Sequence, residues 1–186
     1  MSEPIPDSIE LGGDGLLLRP YRAEDSRALA AAVRESAESV GAWLPWCHVD
    51  YGDAEADAWI MHCAEGWRSG EHFAFAAFDA KTAQFLGAAG LNQRNREHNF
   101  MNLGYWVRTS RQGNGIAVRA ARLVAAFGFG QIGLTRIEIV AALNNRASRR
   151  VAEKSGALFE AVARNRLVDR GNPIDAAVYA LVPAPL

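Results

Sequence analysis

Residues 104 to 117 read GYWVRTSRQGNGIA. An aromatic pair and a valine suit a β-strand. That strand runs through Arg108, Thr109, Ser110 and Arg111 into two glycines one residue apart, Gly113 and Gly115, and then into the alanine-rich AVRAARLVAAF. A strand, a glycine turn and a helix in this order constrain the chain strongly. The helix start exposes unpaired N–H groups and the positive end of its dipole, and the glycines let a phosphate approach the backbone. Two phosphate-binding patterns fail on spacing: there is no G-x-x-x-x-G-K-[ST], and G-x-G-x-x-G lacks its third glycine at Val118. This argues against a nucleotide hydrolase or a dinucleotide dehydrogenase.

The surrounding pattern is mixed. GLLLRPY (15 to 21) reads as a strand, and RAEDSRALAAAVRESAESV as a helix opening at Glu24 and Asp25. GAWLPWCHVDYGD is a turn-rich aromatic segment, after which Trp59, Ile60, Cys63 and Trp67 fall at helical spacing between Ala54 and about Arg68. From Glu71 the period changes to two, with strands over 72 to 79, 85 to 93 and 99 to 107 forming an antiparallel meander. Beyond the glycine turn, a helix stops at the glycines of GFGQIG. A strand over 136 to 143, a helix over 144 to 156 closed by Gly156, and strands near 157 to 167 and 174 to 182 complete the order β-α-α-β-β-β-α-β-α-β-β. This predicts an α/β fold in one domain over residues 1–186, with a mixed, mostly antiparallel sheet of about six to seven strands flanked by about four helices.

Composition narrows the function classes. The 186 residues are 49% hydrophobic, enough for one globular core, and 20 basic residues nearly balance 21 acids with no clustered patch of the kind nucleic acid requires. The opening MSEPIPDSIE is acidic and lacks a signal peptide's basic start and apolar run, and no apolar stretch reaches membrane-span length. A cytoplasmic location is expected. Cys47-His48 and His62-Cys63 place their side chains side by side, which is not the ligand spacing of a structural zinc site. We expect two reduced thiols and no metal.

The turn fits [RQ]-x-x-G-x-[GA] at Gln112, Gly113, Asn114, Gly115, Ile116 and Ala117. It is framed by GYWV before it and by NNRASRRVAEKSGA one strand later, with LLLRPYRAEDSRAL, WLPW and FLGAAGL upstream. This ordered set resembles the GNAT acyltransferase superfamily, in its RimJ/RimL-like N-acetyltransferase branch, across nearly the whole chain. The resemblance implies an acetyl-CoA-dependent N-acetyltransferase whose partners are acyl-CoA and an amine, with neither nucleic acid nor membrane, and it allows a homodimer. It implies that the pyrophosphate rests on the amides of Gln112, Gly113, Asn114, Gly115, Ile116 and Ala117, with Arg111 or Arg119 near its charge. The pantetheine arm would lie beside the strand ending at Val107, where that strand and 136 to 143 splay apart. Asn145 matches the asparagine that reaches the pantetheine arm; a plain helix N-cap is the competing role.

The same resemblance exposes departures. The glutamate commonly found before GYW is Asn102 here, which can orient a group but cannot take a proton. By strand alternation His98, Phe100, Asn102, Gly104 and Trp106 share one face, while Met101, Leu103, Tyr105 and Val107 form a core face. His98, at the outer end with Glu97 nearby, is therefore a candidate proton acceptor. The helix tyrosine of many members is Ala152, which leaves Ser148 to protonate the departing thiolate or merely to satisfy a backbone amide. Trp43, Trp46, Trp59 and Tyr51 suit either a groove wall or core. Asn102 and Ala152 also keep open a non-catalytic acyl-CoA-binding or sensing module. The acceptor expected of an enzyme without the glutamate is an α-amine, on a protein N-terminus or a small molecule.

Overall fold

The computed structural model describes residue 6 and residues 8–183. The expectation about the first ten residues therefore falls largely outside the described range. The elements are β1 (Leu11–Gly13), β2 (Leu16–Pro20), α1 (Ser26–Glu35), α2 (Asp53–Ser69), β3 (Phe73–Asp79), β4 (Phe85–Asn95), β5 (Phe100–Val107), α3 (Ile116–Phe127), β6 (Arg136–Ala142), α4 (Arg146–Ser155), β7 (Leu158–Asp169) and β8 (Asn172–Leu181). They form one sheet in the order β1-β2-β3-β4-β5-β6-β8-β7. Every neighbouring pair is antiparallel except β5 and β6.

Eight strands replace the expected six or seven. The addition is β1, whose sequence is LGG; its pairing with β2 supplies an order that two glycines could not signal locally. The first helix covers Ser26–Glu35 of the expected segment 22 to 40, and turns follow from residue 36, where the Ser36 hydroxyl donates back to the Ala32 carbonyl (2.7 Å). After Phe127 the chain makes a π-helical turn over Gly128–Ile132 before Gly133 takes a left-handed conformation.

Two apolar clusters sandwich the sheet. One joins Phe73, Phe75, Leu91, Met101, Leu103, Ile137 and Ile139 to Ala121, Val124 and Phe127 of α3. The other joins Leu29 and Val33 of α1 and Ile60 and Cys63 of α2 to Ala76, Phe78 and Phe85. Strand alternation places Met101, Leu103 and Val107 in the first cluster and turns Trp106 toward the second, as the sequence pattern predicts. Cys47 and Cys63 are buried free thiols, with burial raising their pKa values to about 11 and about 12. At the sheet edge, Arg19 and Asp25 form a buried two-pronged ion pair (2.7 and 2.8 Å), with the guanidinium 4.3 Å from the centre of the Phe78 ring. Asp25 thus does more than begin a helix: it fixes the α1 end of the molecule to β2.

Candidate active site

The parallel contact between β5 and β6 is short. It runs from Phe100↔Arg136 to Asn102↔Glu138 and then stops, although the strands continue to Val107 and Ala142. Over that remainder β5 stays paired with β4 and β6 with β8, so the two halves of the sheet diverge. The divergence opens a cleft of about 1900 Å³.

One end of the cleft is the glycine turn. Gly113 (φ 79°) and Gly115 (φ 71°) both lie in the left-handed region, and a Cβ at Gly113 would meet no atom within 4 Å. The turn's side chains bind carbonyls rather than amides: Gln112 Nε2 donates to the Val107 carbonyl (3.0 Å), and Asn114 Nδ2 donates to those of Arg111 and Gln112 (3.1 Å each). No side chain caps α3, whose first amides remain available at the positive end of the helix. Such a cradle fits an anionic pyrophosphate. Arg111 of the turn lines the cleft, as do Arg150 and Lys154 of α4.

The turn is tethered from behind by α1. Arg108 and Glu35 form an ion pair, Ser110 N–H donates to Glu35 Oε1 (2.9 Å), and Thr109 N–H donates to the Ser36 hydroxyl (3.2 Å). Arg108 and the Ser110 amide together hold the Glu35 carboxyl at a pKa of about 2.

At the middle of the cleft, Asn145 Oδ1 accepts from Ser148 N–H (3.0 Å) and caps α4. Its amide nitrogen takes no partner among the described residues, and Asn145 lines the cleft. The Ser148 hydroxyl is not used on the backbone. It lies 3.2 Å from the Tyr105 hydroxyl, which itself donates to the Ser148 carbonyl (2.8 Å). Burial raises the Tyr105 phenol to about 12, so it keeps its proton at neutral pH. Sequence alternation assigns Tyr105 to the core; the available signal was that a buried phenol requires a partner, which α4 provides.

The rest of the lining has different chemistry. Trp43 (39% exposed), Trp46 (43%) and Trp59 (40%) line the cleft, with Trp46 edge-on to Trp106 at 5.7 Å. These indoles are therefore wall, whereas Tyr51 is buried in the second cluster while still touching the cleft. The acidic and histidine groups that line the cleft are Glu55, Asp169, Asp175, His62 and His72; Arg111, Arg150 and Lys154 are its only Lys or Arg lining among the described residues. The floor is stepped: Ala74, Gly90 and Gly104 stand opposite one another across three strands, flanked on one side by Asn92 and Asn102. Asn102 Nδ2 donates to Asn92 Oδ1 (2.9 Å), and Asn102 Oδ1 is buried with no partner.

His98 does not join this assembly. It occupies the exposed turn between β4 and β5, where its backbone N–H donates to Asn95 Oδ1 (2.8 Å), and it is outside the cleft lining. Strand alternation gave it the right face, but the turn carries it past the end of the floor. The cleft histidines, His62 and His72, come from α2 and the start of β3, and their convergence depends on packing that a linear pattern does not reveal.

Comparison with known proteins agrees with this geometry. The Acetyltransferase (GNAT) domain pattern matches residues 15–158. YdaF of Bacillus subtilis (strain 168), provisionally named a ribosomal N-acetyltransferase, is 27% identical over 173 residues, covering 90% of this chain and 91% of that protein. A Vibrio cholerae structure, provisionally described as a ribosomal-protein-serine acetyltransferase, has a TM-score of 0.85 at 27% identity, covering 96% of this chain and 100% of that one. RimL, described as a ribosomal L7/L12 alpha-N-protein acetyltransferase and solved with coenzyme A, shares the fold at a TM-score of 0.85 and 19% identity, over 94% of this chain and 98% of that one. A divided sheet, an uncapped glycine-turn helix and a family match over most of the chain lead to one assignment: the chain belongs to the GNAT acetyltransferase family.

Proposed function

We propose that this acetyltransferase moves an acetyl group from acetyl-CoA to an α-amine, on a protein N-terminus or a small molecule, as one domain spanning residues 1–186. The carrying observation is the make-up of the cleft: free helix amides beside Arg111 at the glycine turn, and indoles with carboxylates among the rest of the lining. The first suits a phosphorylated donor and the second an ammonium-bearing acceptor.

In this reading Gln112, Gly113, Asn114, Gly115, Ile116 and Ala117 hold the pyrophosphate through their amides, with Arg111 at its edge. The pantetheine arm runs past Val107 in the splay and meets Asn145 Nδ2. The amine attacks the thioester carbonyl, the C–N bond forms as the C–S bond breaks, and the thiolate takes a proton from the Ser148 hydroxyl, which Tyr105 re-supplies. Asn102 Oδ1 accepts an N–H of the amine and orients its lone pair. Ribosomal-protein acetyltransferases among the relatives support a protein N-terminus as acceptor.

A cytoplasmic location belongs to the same proposal, supported by the absence among the described residues of any helix long and apolar enough to cross a membrane. So does a homodimer, supported by edge strand β7 with Leu158, Phe159 and Val162 exposed, a surface that a second copy would cover. Thiol release from acetyl-CoA with a panel of free-N-terminus peptides and small amines tests the activity. Tight acetyl-CoA binding without thiol release from any amine would show a binding module instead.

A further inference from the structure

An acceptor ammonium must lose a proton before it can attack, and Asn102 cannot take it. The cleft offers few alternatives. Glu55 is engaged by the Gly52 amide (2.9 Å) and by His48 (3.1 Å), and Asp175 Oδ1 by the Asn165 amide (3.0 Å) in the β7–β8 hairpin. Asp169 closes β7 at the mouth of that hairpin. His62 is exposed on α2.

His72 is placed differently. It stands one residue before the first β3–β4 pair, Phe73↔Leu91, so continuing that register sets it opposite Asn92, which is itself opposite Asn102. Side chains alternate along a strand, and Phe73, Leu91 and Leu103 all point into the α3-side core. His72, Asn92 and Asn102 therefore form one polar row on the cleft floor, with its outer members two strand spacings, about 10 Å, apart. Two side-chain atoms in that row are buried without partners: Asn102 Oδ1 at one end and His72 Nε2 at the other. His72, Asn92 and Asn102 all line the cleft.

We propose that His72 is the proton acceptor for the amine, reached from Asn102 through water held over Asn92. This rests on the reading of the chain as an amine acetyltransferase. Asn102 Oδ1 holds one N–H of the ammonium; a second proton passes by water to the imidazole, which becomes imidazolium and releases it to solvent past His62. The neutral amine then forms the C–N bond as C–S breaks, its remaining surplus proton leaves by the same row, and solvent returns one proton to Tyr105 to replace the one the thiolate drew through Ser148. The sum is ammonium plus thioester giving amide, thiol and one proton.

The seat of the ring supports this role. His72 lies against Gly66 of α2, where a Cβ would come within 2.1 Å of the ring, and it stacks on His62 at a centroid distance of 4.6 Å. Trp59 completes the ladder at 6.4 Å. The charged and titratable groups around it are His62 from α2, Arg94 and Arg96 from the end of β4 and its turn, and Glu71 beside it; Arg94 is turned to the Gly70 carbonyl and Arg96 to Glu71. Burial, then His62, lowers the His72 pKa below the ordinary imidazole value. The ring is thus unprotonated at the pH where an α-amine is mostly ammonium, and it discharges its proton readily.

The test is the pH dependence of kcat/KM for an N-terminal peptide with wild type, His72→Gln and His72→Gln/Asn102→Glu, with acetyl-CoA affinity and Tm measured alongside. We expect His72→Gln to cut the rate at pH 7 by about 100-fold, with acetyl-CoA affinity unchanged, and the deficit to shrink as pH rises past the amine's own pKa. Asn102→Glu in that background, which puts a carboxylate into the row, should restore at least tenfold of the loss. A wild-type profile in His72→Gln would overturn the assignment. So would a loss that persists equally at high pH, because a structural role does not depend on amine ionisation. If wild type itself releases no thiol with any amine, the acetyl-transfer reading fails first and takes this proposal with it.

Discussion

At Gly115 the backbone holds φ at 71°, a region that costs a residue with a Cβ about 1–2 kcal/mol and a β-branched one more. The only atom near its would-be Cβ is Arg119 Nη1 at 3.9 Å, so Gly115→Val strains the turn without colliding with the core. We expect the fold to persist and acetyl-CoA affinity to fall by about tenfold or more, the equivalent of about 1.4 kcal/mol. Calorimetric titration checks this; unchanged affinity in a folded variant would remove the turn from the donor site. Ser148 invites a different test. Its N–H, not its hydroxyl, makes the α4 cap, so Ser148→Ala leaves the bond to Asn145 Oδ1 in place and removes only the hydroxyl beside Tyr105. A proton donor to the thiolate acts in the transition state, so kcat should drop on the order of 10–100-fold with acetyl-CoA binding nearly unchanged. A lowered Tm with normal turnover would instead make the hydroxyl a structural partner of Tyr105.

Among the elements, α1 has a function beyond packing, because its last residues hold the strand-to-turn junction that precedes α3. Glu35 and Ser36 take up the Arg108 guanidinium and the amides of Ser110 and Thr109. Folding lowers the Glu35 pKa to about 2, so this contribution is complete above the unfolded value near ~4.3 and is lost as pH falls from there toward 2. Glu35 is 29% exposed, and solvent screening limits its contribution to on the order of 1–2 kcal/mol. Glu35→Gln should lower Tm at pH 7 and weaken acetyl-CoA binding, and the difference in Tm from wild type should narrow as both are melted at pH values from 5 down to 3. A constant difference across that range would dissociate the effect from the carboxylate's charge. The tether was not legible in the sequence, since nothing local relates Glu35 to Ser110. The donor turn was legible because glycine spacing, strand pattern and helix start are all local. The same contrast explains β1, whose order comes wholly from its neighbour, and His72, whose place beside Asn92 depends on the register between β3 and β4.

For the molecule as a whole, the divided sheet brings the amide-lined glycine turn and a set of indoles and carboxylates into one cleft, and in the proposed reaction the groups of that cleft set which amines can react. An α-amine has a pKa near ~7.8 and a lysine side chain one near ~10.4, so at pH 7.5 roughly a third of the former and about 0.1% of the latter is neutral. Making the lysine neutral at that pH costs about 4 kcal/mol, against well under 1 kcal/mol for the α-amine. A family glutamate at the Asn102 position would help close that gap; an amide does not. An imidazole with a lowered pKa is also a weak base, suited to an ammonium that gives up its proton readily. On peptides identical except for one free amine, transfer at pH 7.5 should therefore be at least tenfold faster to the N-terminus than to lysine. The ratio should fall as pH rises toward 10 and both amines become neutral. Faster transfer to lysine near neutral pH would mean that a stronger base operates in the cleft, with Asp169 and Asp175 of the β7–β8 hairpin the next groups to substitute.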